Sequence, residues 1–247
     1  MSILAVYNIK GGVGKTATSV NLAYLSARQG RKTLLCDMDP QGSASYYFRI
    51  RPDKKFGTKK LLKGGRHLEE HIKGTDYSGL DMLPADFSYR NIDIALDELK
   101  KSQLRLGKIL HPLLDDYDTI LLDCPPNITL LSENIFHAAT YILVPVIPTT
   151  LSLLSLKQLF EFLDKIEMDR GKLLIFFSMV EKRKKMHLDL MQTLSKKKQV
   201  LRTTVPFSAD IERMGLYRQP IAAALPHSPA AAAYENLWQE ICAHVYR

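Results

Sequence analysis

Residues 10–16 read Lys-Gly-Gly-Val-Gly-Lys-Thr, and no other stretch constrains the fold as strongly. The apolar run Ile3 to Asn8 precedes it. After it, Lys15 to Gln29 carries Val20, Ala23 and Ala27 at helical spacing, and Gly30 stands where a helix stops. Strand, Gly-rich turn and helix, in that order, give such a motif its meaning. The glycines let successive N–H groups curl inward around a phosphate, and the new helix adds its positive end there. Gly11, Gly12, Val13 and Gly14 therefore predict a phosphate cradle. Lys15 is placed between β- and γ-phosphates, and the Thr16 hydroxyl on Mg²⁺. Lys10 is a second lysine that the cradle does not require. Bent inward, it would crowd its own phosphates; the alternative is a nucleotide held by another subunit.

Further apolar runs follow at Thr33–Asp37, Thr119–Asp123, Tyr141–Val146 and Leu173–Phe177, each succeeded by a helical pattern. This alternation predicts an α/β fold, doubly wound, with a mainly parallel sheet and helices on both faces. The 247 residues fit one P-loop domain over 1–247, large enough to hold its core without disulfide or metal. Cys36, Cys124 and Cys242 lie far apart, which excludes a disulfide framework and any CxxC site. The amino terminus lacks the features of a signal peptide, so a cytoplasmic location is expected. The uncharged stretch between Glu133 and Lys157 is interrupted by Pro145, Pro148 and several hydroxyl residues, and reads as a buried strand and turn rather than a membrane span. Lys54 to Gly74, rich in Gly and Lys, reads as an inserted, mobile excursion. His67 and His71 lack a third ligand and read as solvated. For Tyr46-Tyr47-Phe48, core packing or a dimer contact is favoured over base stacking.

Three carboxylates stand at strand ends, where ligands of open α/β sheets bind. Asp123 closes an apolar strand, as expected of a residue holding Mg²⁺ through water. Asp37 and Asp39 end the second strand. One is suited to orient an attacking water and the other to support the metal shell, while Asp39-Pro40 equally fits turn chemistry.

The chain has 34 Lys/Arg against 26 Asp/Glu, a net charge of +8, and the excess is local. Residues 171–218 hold eleven basic and four acidic residues, and residues 49–73 hold nine and three. Localised basic charge points to a polyanion, either nucleic acid or an anionic membrane.

Taken together, Lys10–Thr16, Asp37-Met-Asp39-Pro-Gln-Gly and Leu121-Leu122-Asp123-Cys-Pro-Pro resemble the ParA/Soj group of deviant Walker ATPases, sisters of MinD. The similarity runs on through Val144-Pro145-Val146 and Val205-Pro206 to Ser228-Pro229, and so spans nearly the whole chain. It implies ATP and Mg²⁺ as cofactors, Lys10 reaching across an ATP-sandwiched homodimer, and Asp39 as the hydrolytic aspartate. It also implies an adenine site near Met179, Pro206 and Phe207. Ala17 departs from the hydroxyl residue often found there, and Met179 to Arg183 and Phe48 to Asp76 match the group loosely. The resemblance further implies nonspecific DNA binding at the nucleoid and hydrolysis stimulated by a ParB-like or cargo-adaptor protein. Phosphate contacts are expected from Lys182, Arg183, Lys184, Lys185, Lys196, Lys197, Lys198, Arg202 and Arg213. The chain begins at its first strand, so no operator-binding helix-turn-helix domain is expected. A MinD-like membrane ATPase is the alternative. It needs a basic amphipathic terminal helix, whereas Leu237, Ile241 and Val245 read as a core-facing stripe with Arg247 the one basic residue. Nitrogenase-type relatives lack support, since no cysteine lies between Cys36 and Cys124. Ligase-type relatives remain open.

Overall fold

Eight strands pair into one sheet in the order β3-β4-β2-β5-β1-β6-β7-β8. They are β1 (Ser2–Val6), β2 (Thr33–Asp37), β3 (Lys73–Gly74), β4 (Leu80–Leu83), β5 (Thr119–Asp123), β6 (Tyr141–Val146), β7 (Leu173–Val180) and β8 (Val200–Pro206). Every neighbouring pair is parallel except β3 with β4. These are the contents of a computed structural model that describes residues 1–246; Arg247 lies outside the described residues.

The three central strands β1, β2 and β5 are buried at every position. A sheet covered on both faces buries both sets of side chains, which is why these segments read as unbroken apolar runs without alternation. Along β1, Ile3 and Ala5 face one core layer with Leu122 and Phe136, while Leu4 and Val6 face the other with Leu121 and Trp238. The carboxyl-terminal helix Pro229–Val245 closes the second layer with Leu237, Trp238 and Ile241, so its apolar stripe is spent in the core. Tyr141–Val146 lies inside the sheet between β1 and β7. Among the described residues, no helix is long and apolar enough to cross a membrane.

Parallel register fixes the site. Val6 lies beside Asp123 and Asp37 beside Asp123, so the ends of β1, β2 and β5 are level. The loop after β1 and both carboxylates thus share one end of the sheet, where parallel α/β folds bind ligands.

The Gly- and Lys-rich segment differs from its expectation. Phe56, just before the short helix Thr58–Lys63, Leu61 and Leu62 on that helix, and Leu68 on Arg66–Glu69 are all buried in the first core layer. It is part of the core rather than an excursion. Four apolar side chains at irregular spacing among charges give no readable period, yet they suffice to anchor it. His71 also differs: it is 7% exposed, with Nδ1 2.9 Å from Asp53 and Nε2 3.1 Å from Lys60. His67 is exposed as expected. Phe48 packs in the core, while Tyr46 stays 52% exposed.

Candidate nucleotide site

Gly12 and Gly14 both adopt positive φ, 71° and 88°, which L side chains rarely do, and Gly14 begins the helix Lys15–Arg28. A Cβ at Gly11, Gly12 or Gly14 would meet nothing within 4 Å, so the loop faces open space wide enough for a ligand to approach the backbone. Asn8, buried at the end of β1, holds the loop's entrance. Its amide donates to Pro145 O at 2.7 Å on β6, and its Oδ1 accepts from Lys10 N at 2.8 Å. Ser178, buried on β7, donates to Val13 O at 2.7 Å and fixes the other side. Neither residue is readable from the motif, because the partner lies more than a hundred residues away.

The Lys15 ammonium is buried within the loop and donates to Lys10 O at 3.2 Å. Burial lowers its pKa, with the Asp123, Cys124 and Asp39 charges opposing. Lys10 Nζ donates to Ser152 Oγ at 3.3 Å, a fully buried serine at the start of the helix Thr150–Lys165.

Asp123 is fully buried. Its Oδ1 accepts from Ser19 Oγ at 2.8 Å, and Thr16 stands close enough to lower the carboxyl's pKa, yet Oδ2 has no hydrogen-bond partner. Asp37 is also fully buried, and its Oδ2 accepts from both the N–H and the hydroxyl of Ser45, at 2.8 and 2.7 Å. Burial raises both carboxyls; the Asp123 charge raises Asp37 further, to about 8, and Asp39 adds to the rise at Asp123. Asp37 thus anchors the turn of helix Ser43–Tyr47 beside Asp123. Asp39 is half-buried at the mouth, with Oδ1 accepting from Gln41 N at 2.9 Å, so it makes a turn contact and still faces the loop.

These residues fit a magnesium nucleotide. Mg²⁺ takes one or two carboxylates together with substrate phosphates and waters, and Thr16 with the unpartnered Asp123 Oδ2 offers that donor set.

Beside the cradle, Gly14, Ala17, Met179, Pro206 and Phe207 line one cleft together with Tyr234. It measures ≈ 50 Å³, and Phe207 on its wall is 52% exposed. Met179 sits at φ 52°, an uncommon conformation for a side chain of its size.

The structure divides the basic residues. Lys182, Lys196, Lys197, Lys198 and Arg202 line one groove of ≈ 1280 Å³ along the β8 edge. Arg183, Lys184 and Lys185 are exposed on the adjoining loop and helix start, where Lys184 pairs with Glu181 at 2.5 Å. Arg213 is on helix Ala209–Tyr217, outside that groove.

The family profile described as "AAA domain" matches residues 1–175. The chromosome partitioning protein ParA of Myxococcus xanthus is 31% identical over 97% of this chain and 87% of its own. A plasmid partition protein of Borrelia burgdorferi bound to AMPPNP superposes with a TM-score of 0.86 at 24% identity, covering 99% of each chain. Cobyrinic acid a,c-diamide synthase of Mycobacterium smegmatis, with bound ADP and magnesium, gives 0.82 at 24% identity over 100% of this chain and 97% of that one. At those identities the two structures establish the fold.

Proposed function

The chain belongs to the ParA/Soj family of deviant Walker ATPases, and from that premise we propose that it is a Mg²⁺-dependent partitioning ATPase whose ATP-bound homodimer binds DNA without sequence preference. The observation that carries the dimer is Lys10. It is a second lysine at the start of the loop, beyond the Lys15 that the cradle uses, and its half-buried ammonium bonds Ser152 at the start of the helix Thr150–Lys165. On the same helix Leu151 and Leu154, 66% and 54% exposed, offer apolar surface that suits a second copy.

In this reading the N–H groups of residues 11–17 hold the phosphates, and Lys15 neutralises the oxygens between β and γ. Thr16 and Asp123 would hold the metal, which supplies charge neutralisation on the phosphates when bound, and Asp37 stands beside Asp123 on the neighbouring strand. Asp39, at the mouth, orients the attacking water. Met179, Pro206 and Phe207, which line the cleft beside the cradle, accept the adenine. A ParB-like or cargo-adaptor protein stimulates hydrolysis, and the cargo is carried over the nucleoid in the cytoplasm. A small-acid ligase reading has only the shared fold behind it.

DNA binding is tested by fluorescence anisotropy on two unrelated duplexes, at several salt concentrations, with ATP and with ADP. If dimerisation doubles the phosphate contacts, the slope of log affinity against log salt rises from about 3 to about 6 in magnitude with ATP. Replacing Lys196, Lys197 and Lys198 by Ala weakens both duplexes alike. Affinity indifferent to nucleotide and salt contradicts the proposal, and binding to anionic vesicles instead supports the membrane alternative.

A further inference from the structure

A second groove, of ≈ 630 Å³, lies on the face formed by residues 55–60 and 88–98, apart from the nucleotide site. Phe56 and Ala95 contribute apolar surface to it, and Ile94, 66% exposed, stands on its wall. Phe87, 65% exposed with Arg90 over its ring, adds bare apolar surface on the neighbouring turn. The rim carries Lys55, Lys59 and Lys60 against one carboxylate, Glu98. Lys60 is engaged with His71, leaving Lys55 and Lys59 exposed to solvent.

The groove is held in shape from below. Thr58 N donates to Ser88 Oγ at 2.8 Å, and a Cβ at Gly57 would come within 2.9 Å of that same oxygen, so only glycine allows the two segments to close so tightly. Asp53 ties Lys73 and His71 behind the lysines, at 2.6 and 2.9 Å. A built groove with an apolar wall and a basic rim has a complementary ligand: apolar side chains flanked by carboxylates.

We propose that this groove docks an acidic, apolar-anchored segment of a protein partner. Protein is favoured over DNA because Ile94 and Phe87 present apolar side chains to solvent, where a phosphate backbone gains nothing from them. The opposite signs of rim and ligand supply orientation and encounter rate, and the apolar anchors supply affinity. The location also has a structural consequence. Ser88 lies three residues from Ala85, whose N–H donates to Ser45 Oγ at 3.0 Å, and Ser45 holds Asp37. A segment seated here touches Ser88, three residues along the chain from the Ala85 N–H that bonds Ser45.

The probe is a labelled sixteen-residue helical peptide with Leu at i, i+4 spacing and Glu elsewhere, read by anisotropy on the full chain. Its twin with Lys for every Glu is the charge control. The proposal expects the acidic peptide to bind at least tenfold tighter than the twin, and expects Ile94→Gln and Lys55→Glu/Lys59→Glu each to weaken it at least tenfold. These positions are exposed, and an unchanged urea midpoint and unchanged ATP affinity confirm that the fold and the nucleotide site are intact. The Lys196→Ala/Lys197→Ala/Lys198→Ala chain is expected to bind the acidic peptide as the wild type does. Equal binding of the twin, indifference to Ile94→Gln, loss on the triple variant instead, or displacement by a DNA duplex would each overturn it. Failure here leaves the ATPase reading standing, because that is tested by nucleotide affinity, DNA binding and assembly, none of which reads this groove.

Discussion

Lys15 is the residue on which nucleotide affinity should depend most, because its buried ammonium is already held inside the loop. Hydrogen bonds to charged groups contribute roughly 1.5–3 kcal/mol each, so losing two makes Lys15→Ala at least about a hundredfold weaker for ATP. Calorimetric titration checks this, and wild-type affinity in the variant contradicts the assignment. The carboxylate pair makes a second prediction. Burial raises the pKa of Asp123 above the unfolded value of about 3.9. From about pH 4 upward the folded chain therefore holds more protons than the unfolded one, and stability falls as pH rises through the folded pKa. Asp123→Asn removes this penalty. Without nucleotide or Mg²⁺, its thermal midpoint relative to wild type should climb between pH 5 and pH 8, and a pH-independent difference refutes the account. Most of the site was legible because Lys10 to Thr16, Asp37, Asp39 and Asp123 stand in short motifs whose chemistry depends on neighbours in sequence. Ser19, Ser45, Ser178 and Asn8 were not. A serine within a helix or strand carries no local signal, and Ser19 meets Asp123 across 104 residues.

Elements show the same division. The five strands β1, β2, β5, β6 and β7 were readable in place because length and flanking turns distinguish an apolar run, although β7 continues to Val180, beyond the apolar stretch ending at Phe177. Strands β3, β4 and β8 and the helices of residues 58–69 escaped notice: β3, β4 and the helices hold two to six residues, too few to show a period, and β8 mixes apolar residues with Arg202, Thr203 and Thr204. The β8 edge illustrates how an element is finished by a distant side chain. The Glu240 carboxylate accepts from the N–H groups of Arg202 and Thr203, both at 2.8 Å, and these bonds outweigh burial in lowering its pKa. Edge N–H groups left unpaired are a liability. Glu240→Ala should cost about 2 kcal/mol in urea unfolding, discounted for partial exposure from two charge-assisted bonds. A change within about 0.5 kcal/mol, the range of ordinary surface substitutions, contradicts that role.

For the whole molecule, sheet register, loop and carboxylates converge on one end of the sheet, and the proposed reading has one chain hold a nucleotide there and a second copy complete it. In that reading Lys10, the second lysine of the loop, separates this arrangement from an ordinary monomeric P-loop enzyme. Asp39, which stands at the mouth and takes no part in the cradle's hydrogen bonds, separates binding from turnover. Replacing it should leave the ATP-bound assembly intact and long-lived, whereas replacing Lys10 should leave a chain that binds ATP without assembling. Light scattering on a sizing column in MgATP tests this most directly. The account predicts Asp39→Ala at twice the mass of one 28.0 kDa chain and Lys10→Ala at the mass of one. A dimeric Lys10→Ala protein, or an Asp39→Ala protein that stays monomeric while saturated with ATP, would contradict it.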